Sequence, residues 1–245
     1  SKPQPSLAPR RASAAFMLAH PAHAIALGFG SGLSPFAPGT VGTLWGWMSF
    51  LVLMPWLSAA QMGLLIAGGA LVGWWACTTT ARNLRVADPG AIVWDEIVAF
   101  WLVLWLAMPM GLMGQIVAFA LFRFFDAAKP GPVGWADSLF KGFGWRGGWG
   151  ILFDDFVAAF CTLLAIALVI DLVKKSDAEG TWQASHFSYR IRTVLWAGLL
   201  YLLTAPLWLL FIFPGWIAWG VISIWFLYRI VRGMVTMNKS QAIDA

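Results

Sequence analysis

The sequence predicts an all-α fold: a polytopic membrane bundle of helices with polar, Gly/Pro-rich loops on the cytoplasmic side. Of the 245 residues, 60% are hydrophobic and only 11% are charged, and the mean hydropathy is +0.75. A soluble domain carries roughly 25% charged residues, so this chain would expose too much apolar surface in water. Apolar runs of nearly spanning length, separated by short polar or Gly/Pro-rich stretches, complete the pattern.

Charge and cysteine content exclude several classes of protein. The formal net charge of +5 is modest, does not indicate a nucleic-acid partner, and fits bases that face anionic lipid on the cytoplasmic side. Cys77 and Cys161 both lie in apolar runs, which is typical of packing residues and predicts no disulfide framework. Arg82 follows Cys77 one residue too early for the Cys-x5-Arg loop of cysteine phosphatases, which disfavours a thiol nucleophile.

The N-terminal part is predicted to contain a tail, a short apolar stretch and a loop. Residues 1–14 are expected to be a mobile tail, and residues 15–29 an apolar stretch broken near Pro21. Residues 28–43 are too rich in glycine and proline for the interior of a helix and predict a loop. This loop is either a plain surface turn or a binding loop for a phosphate or lipid headgroup. The hydroxyl groups that would then bind are those of Ser31, Thr40 and Thr43.

Two apolar runs follow, at residues 41–57 and 60–77, and their short join predicts a helical hairpin. Arg82 and Arg85 then mark a cytoplasmic connection. We expect these helices to extend into their flanking residues, because a spanning helix needs about 20 residues.

A pair of acids interrupts the next apolar run, residues 91–108. Asp95 and Glu96 lie near the start of this predicted span, and a charged side chain costs about 2.5–3.5 kcal/mol at the bilayer centre on insertion scales. Acids at the start of a helix also complement its dipole. A carboxylate pair with Asp88 nearby nevertheless favours a cation site.

The most polar stretch of the chain runs from residue 123 to residue 155. A short apolar helix is predicted over residues 112–125, and Pro130 ends it. The stretch contains glycines between residues 142 and 150, which allow backbone amides to approach an anion, and Asp154 and Asp155 are expected to open the following helix. Its charged residues are Arg123, Asp126, Lys129, Asp137, Lys141, Arg146, Asp154 and Asp155. Bases bind phosphate and carboxylates bind a divalent cation, so this stretch predicts a phosphate-handling site at the membrane edge.

The C-terminal part is predicted to be a linker and a second hairpin. Residues 171–192 are polar, and the spans 193–213 and 215–231 are separated at Pro214–Gly215. The direction of the helix after residue 151 stays open, because a full crossing there would place the bases of the linker outside. The predicted organisation is a tail at 1–14, a catalytic domain at 15–172, a linker at 173–192 and a hairpin at 193–245. The role of the hairpin is open, and an oligomer contact or a protein partner would fit it.

Four sequence blocks resemble the phosphatidylglycerophosphatase A family over about residues 16–172. They are G-F-G-S-G-L-S-P-F-A-P-G-T-V-G-T (28–43), D-P-G-A-I-V-W-D-E (88–96), F-R-F-F-D-A-A-K-P-G-P (122–132) and G-G-W-G-I-L-F-D-D (147–155). The resemblance implies a Mg²⁺-dependent phosphatase that removes the terminal phosphate of phosphatidylglycerophosphate in a bacterial cytoplasmic membrane, with its site on the cytoplasmic side. Matching the motifs carries over the acids Asp88, Asp95, Glu96, Asp126, Asp154 and Asp155 and the bases Arg123 and Lys129. Trp94 stands where the family often has an aliphatic residue.

The chemistry of phosphomonoester hydrolysis assigns these residues roles. Magnesium prefers oxygen ligands, which Asp95, Glu96, Asp154 and Asp155 would supply, with Asp88 as an additional candidate. Arg123 and Lys129 would hold the phosphate, assisted by Lys141 and Arg146 in the glycine-rich loop. Asp126 would orient Arg123 or act as general base, and direct attack by a carboxylate stays an alternative.

Three other functions fit the sequence less well. A phosphotransferase acting on CDP-linked lipids would need an Asp-x2-Asp-Gly-x2-Ala-Arg motif, which is absent. A transporter would place its paired acids near mid-membrane, whereas these lie near predicted helix ends. A non-catalytic scaffold derived from a phosphatase would be favoured by loss of a matched acid, and all of them are present.

Overall fold

A computed structural model of the chain describes residues 8–174, 182–204, 212–238 and 241–243. These residues are largely helical, and no β-strand occurs among them, which confirms the all-α prediction. The helices are α1 Ala14–Leu18, α2 Pro21–Ala26, a 3-10 helix Gly28–Leu33, α3 Pro38–Leu53, α4 Ala59–Leu84, α5 Trp94–Ala107, α6 Leu112–Ala128, α7 Pro132–Leu139, α8 Trp145–Lys174, α9 Trp182–Thr204 and α10 Ile212–Asn238.

Two helices in the described part of the chain are long and apolar enough to cross a membrane. They are α4 and the segment Trp145–Ile170 of α8. Helices α3 and α5, which the sequence predicted to span, contain 16 and 14 residues, and a spanning helix needs about 20.

The chain forms two compact units, each with its own packing. The first unit comprises Ser1–Lys129 and Ala136–Thr162, and the second comprises Pro130–Trp135 and Leu163–Ala245.

Helix α5 forms the core of the first unit. Ile97, Val98, Phe100 and Leu104 of α5 are fully buried. Helix α3 packs mainly against α5, and α4 packs against α2 and α5 rather than against α3. The predicted helices α3 and α4 therefore exist, but they do not pack on each other as a hairpin, because α5 lies between them. Helix α4 begins with a capping box at Ser58 and continues to Leu84.

Glycines allow the backbones of these helices to come close. A Cβ built on Gly46 of α3 would lie 3.1 Å from Cα of Ile97, and one built on Gly73 of α4 would lie 2.5 Å from Cδ1 of Trp94. The indole Nε1 of Trp94 donates to the carbonyl of Gly69, 2.9 Å away. Gly46 therefore allows the close approach of α3 to α5, and Gly73 that of α4 to α5.

The loop predicted for residues 28–43 is wrong in its second half. The 3-10 helix occupies Gly28–Leu33, and α3 begins at Pro38, so that Thr40 and Thr43 are helical. Proline at the start of a helix is favourable because its missing N–H would have no partner there. Gly42 remains in this helix because a Cβ on it would lie 2.6 Å from Cβ of Val93, so tertiary packing overrides the low helix propensity of glycine.

The glycine-rich stretch before Asp154 is also more helical than predicted. Helix α7 forms at Pro132–Leu139, and α8 begins at Trp145. Asp154 and Asp155 therefore lie more than two turns inside α8 and do not open it. Gly148 is needed for packing inside the helix, since a Cβ there would lie 1.8 Å from Oγ1 of Thr78.

Three further boundaries differ from the prediction. Arg82 lies in the last turn of α4, not in a connection, and Arg85 caps that helix in the left-handed region at φ 62. The linker predicted for 171–192 is shorter, because α8 reaches Lys174 and α9 begins at Trp182. Pro214–Gly215 lies inside α10, near its start, where proline is tolerated, so it does not separate the last two helices as predicted.

We expect Gly73→Ala to destabilise the first unit. The added Cβ would collide with the Trp94 ring, and such overpacking costs about 1–3 kcal/mol. Gly68→Ala is the matched control on the same helix, because nothing lies within 4 Å of a Cβ there. It should leave stability unchanged or raise it by up to about 1 kcal/mol. Thermal unfolding in detergent tests this, and equal midpoints for the two variants would contradict the packing role of Gly73.

Candidate active site

The first part of the site forms where the start of α5 meets the start of α3. Asp95 and Glu96 lie in the first turn of α5, beside Gly39 in the first turn of α3. A Cβ on Gly39 would lie 2.2 Å from Oε1 of Glu96 and 2.9 Å from Nη2 of Arg123. Glycine is therefore required at this position for the backbone of α3 to contact an acid and a base at once.

Arg123 joins α6 to this cluster. Its Nη1 donates to Oε1 of Glu96 at 3.2 Å and to Oγ1 of Thr43 at 3.4 Å, and it also pairs with Oδ2 of Asp126. Thr43 is held in turn by its own hydrogen bond to the carbonyl of Gly39, at 2.8 Å. The arrangement confirms that Arg123 and Asp126 share a face of α6, three residues apart.

Lys129 forms the second part of the site. It caps α6 in the left-handed region, at φ 45, and its Nζ donates to Oδ1 of Asp137 at 2.5 Å and to Oδ2 of Asp154 at 2.6 Å. Burial lowers the pKa of Lys129, but the nearby carboxylates of Asp154 and Asp137 outweigh it and raise this pKa above its ordinary value. The ammonium group therefore stays charged throughout the neutral range.

Asp137 connects Lys129 to Lys141. Its Oδ2 accepts from Nζ of Lys141 at 2.7 Å. Burial alone would raise the pKa of Asp137, but hydrogen bonds from the two lysines lower it below its ordinary value. A cavity of about 30 Å³ lies beside this group; it is lined by Asp88, Asp137, Lys141 and Asp154 with Gly142, Gly147 and Gly150 among its other neighbours.

The carboxylates at the centre have buried oxygens that no hydrogen bond satisfies. These atoms are Oδ1 of Asp95, Oε2 of Glu96, Oδ1 of Asp154 and Oδ2 of Asp155. Asp155 is close enough to Asp95, Glu96, Asp126 and Asp154 for their charges to interact. Buried polar atoms without a hydrogen-bond partner are rare and costly. Four of them on neighbouring acids therefore indicate a binding site for a cation or for a ligand with hydrogen-bond donors.

A divalent cation fits these donors in chemistry. Carboxylate oxygens are the ligands that Mg²⁺ prefers, and Mg²⁺ keeps several waters, so few protein ligands suffice. Among the residues that the structure describes, no three acidic, histidine or cysteine side chains are already arranged to hold a metal ion. The four oxygens without partners are therefore available donors rather than a preformed cage.

Some predicted site residues lie elsewhere. The Ser31 hydroxyl donates to the carbonyl of Gly28 within its own turn, at 2.9 Å, and Arg146 donates to the carbonyl of Leu139 and stacks on Phe140. Thr40 is half-buried in α3, and no contact places it among the acids. Asp88 is exposed, but it lies at the edge of the site, because it lines the small cavity together with Asp137, Lys141 and Asp154.

Two site residues were not among the sequence-predicted set. Asp137 was noted only as one charge of the polar stretch, although its spacing of four residues from Lys141 on a helix could have identified it as a partner. Gly39 gives no signal in a single sequence, because its role depends on a contact with a helix more than 50 residues away.

Buried carboxylates beside an arginine and a lysine are groups that phosphoryl chemistry can use, because charge on the phosphoryl oxygens must be neutralised. The chain belongs to the phosphatidylglycerophosphatase A family, whose sequence model matches residues 24–170. The four acids with oxygens that lack partners, Arg123 and Lys129 all fall inside the matched region. Helices α9 and α10 lie outside it.

Three curated relatives are similar to the same part of the chain. A phosphatidylglycerophosphatase A of Escherichia coli is 39% identical over 142 residues, which is 58% of this chain and 78% of the relative. One from Haemophilus influenzae is 37% identical over 149 residues, 61% of this chain and 88% of the relative. A putative phosphatidylinositol-3-phosphatase of Bacteroides thetaiotaomicron is 36% identical over 155 residues, 59% and 90% of the two chains. No solved structure matches.

We expect Lys129→Met to destabilise the first unit by about 1–3 kcal/mol, because it leaves Asp137 and Asp154 without their shared cation; loss of one partner from a fully buried pair costs about 3–5 kcal/mol. Lys141→Met is the matched control, since Lys141 is 57% exposed and pairs only with Asp137. Its cost should stay below about 1 kcal/mol. Chemical or thermal unfolding of both variants measures the difference, and similar losses would show that the double pairing of Lys129 has no special role.

Proposed function

We propose that this chain hydrolyses the terminal phosphomonoester of phosphatidylglycerophosphate to phosphatidylglycerol and phosphate, at the cytoplasmic face of a bacterial membrane. The observation that carries the proposal is the set of four carboxylate oxygens without partners beside Arg123 and Lys129. Membership of the phosphatidylglycerophosphatase A family supports this substrate.

Arg123 and Lys129 would bind the phosphate group. Nη1 of Arg123 is engaged by Glu96 and Asp126, but its buried Nε has no hydrogen-bond partner and can donate to a phosphate oxygen. Lys129 has three N–H donors, and Asp137 and Asp154 accept from it, so one donor is left for the substrate. Asp126, which pairs with Arg123, would keep the guanidinium group oriented.

The acids would serve the cation and the attacking water. Asp95, Glu96, Asp154 and Asp155 would hold a Mg²⁺ ion, which neutralises phosphoryl charge and polarises oxygen when bound. A carboxylate oxygen without a partner can accept a proton from a water molecule while the oxygen of that water molecule forms a bond to phosphorus. The bond from phosphorus to the glycerol oxygen then breaks, and that oxygen takes up the proton that the carboxylate accepted from water.

A membrane setting agrees with the surface of the helices. Large apolar side chains are exposed along α3 and α4, including Met48, Val52, Leu64 and Leu71. Such side chains contact lipid favourably and water unfavourably. We therefore propose a multi-pass membrane protein, and the length and composition of α4 and of Trp145–Ile170 in α8 support this proposal.

Asp95→Asn and Asp155→Asn should each lower the rate of phosphate release at least about 10²-fold, the scale expected when a preorganised charged group is removed. Neither variant should lose thermal stability, because the deleted charge lacks a hydrogen-bond partner on one oxygen. Asp171→Asn, in the last turns of α8 and outside the matched region, is the control. Full activity in both test variants would remove the carboxylate site from the mechanism.

The reaction itself is tested by phosphate release in mixed micelles. We expect release from phosphatidylglycerophosphate that stops with excess chelator and returns with Mg²⁺. Phosphatidic acid and phosphatidylinositol 3-phosphate, offered at the same surface concentration, should be hydrolysed at least about tenfold more slowly, since contacts to the headgroup are worth a few kcal/mol. Preference for the inositol lipid would redirect the proposal to the chemistry named for the Bacteroides relative, and no release from any lipid by folded protein would refute it.

A further inference from the structure

We propose that the C-terminal hairpin of α9 and α10 is a positioning element of the active site. It would act through Pro130–Trp135, the segment formed by Pro130, Gly131 and the first residues of α7, which we call the turn. The inference rests on the proposed function, because the site that the turn serves is the phosphatase site. It goes beyond the family, since the hairpin lies outside the region that the family model matches.

The turn is covalently tied to the site at both ends. Lys129, which contacts Asp137 and Asp154, directly precedes it, and Asp137 follows it after one residue. The ion pair between Lys129 and Asp137 therefore closes the ends of this short segment. A change in the path of the turn must change the position of Lys129 relative to Asp137.

Both helices of the hairpin come close to the turn. The ring of Tyr201 in α9 lies 3.6 Å from the position that a Cβ on Gly131 would occupy, and Nε1 of Trp135 lies 3.4 Å from that of Gly220 in α10. Turn and hairpin belong to the same compact unit. The two contacts hold opposite ends of the turn.

Tyr201 is itself fixed within the hairpin. Its hydroxyl and that of Ser223 in α10 are 2.6 Å apart, and Ser223 donates to the carbonyl of Trp219 at 2.8 Å, so Tyr201 is the donor to Ser223. The Tyr201 ring also packs edge-to-face on Trp219, with centroids 5.5 Å apart. Only 9% of Tyr201 is exposed. A side chain held this firmly can act as a support for the turn.

Gly131 explains why support is needed. It adopts φ +54, a left-handed conformation that glycine allows at no steric cost, and it stands between two prolines. Glycine also makes the unfolded and alternative conformations of the turn accessible. The Tyr201 ring beside Gly131 limits these alternatives. It thereby keeps Lys129 within reach of the carboxylates of Asp137 and Asp154.

The test uses the full chain and two readouts. Tyr201→Ala should lower kcat for phosphate release by about tenfold or more, because displacements of about 1 Å can cost about 10²-fold, and it should also raise KM, because Lys129 would bind the phosphate. Tyr201→Phe keeps the ring on Gly131 and should retain near wild-type kcat. Tyr228→Ala, an exposed tyrosine of the same hairpin, is the matched control and should be neutral.

A second pair of variants adds bulk instead of removing it. Gly220→Leu should push Trp135 and lower kcat in the same way, whereas Gly198→Leu should not, since a Cβ on Gly198 has nothing within 4 Å. This pair separates a displaced turn from general damage to the hairpin. Equal kcat for Gly220→Leu and Gly198→Leu would overturn the proposal.

Amide hydrogen exchange of residues 130–139 is the readout that does not depend on activity. Tyr201→Ala should speed exchange in this segment relative to wild type, and Tyr228→Ala should not. If the wild-type chain releases no phosphate, the proposed function falls while the exchange data still decide whether the hairpin supports the turn. Unchanged exchange and unchanged kcat in Tyr201→Ala would refute the positioning role.

Discussion

The site depends on the burial of more carboxylate charge than the neighbouring bases can neutralise. Arg123 and Lys129 each pair with two acids, yet four carboxylate oxygens still lack a partner. Buried charges without compensation are expensive, so the rest of the first unit must be stable enough to hold them together. The tight packing of α3 and α4 on α5, with glycines at the contacts, provides this rigid frame.

The two cations have different surroundings and therefore different tasks. Arg123 contacts two acids and a threonine, and these residues come from three helices. The contacts restrict the orientation of its guanidinium plane, so its donors would meet a phosphate from one direction. Lys129 lies at a helix end next to a turn, so its position follows the path of the backbone. In the proposed reaction, Arg123 would therefore contribute donors of fixed direction, and Lys129 a charge whose position depends on the segment that follows it.

The candidate residues were easier to predict from the sequence than the helices around them. Charged residues in an apolar chain are conspicuous, so Asp95, Glu96, Arg123 and Asp154 could be named as candidates without a structure, and their role stays a prediction. Helix boundaries could not, because glycine and proline were interpreted as breakers at places where packing makes them necessary, as at Gly42 and Gly148. The contact of Gly39 with Glu96 depends on folding and leaves no trace in local sequence.

The depth of Asp154 and Asp155 along α8 has a consequence for how the protein sits in lipid. These acids follow the start of the helix by nine and ten residues, about 14 Å along its axis at 1.5 Å per residue. The remaining length to Lys174 is about 30 Å, which equals the hydrocarbon thickness of a bilayer. In the proposed membrane placement, the first turns of α8 would extend beyond the headgroups into water. The acids would then lie in the plane where a phospholipid carries its phosphates.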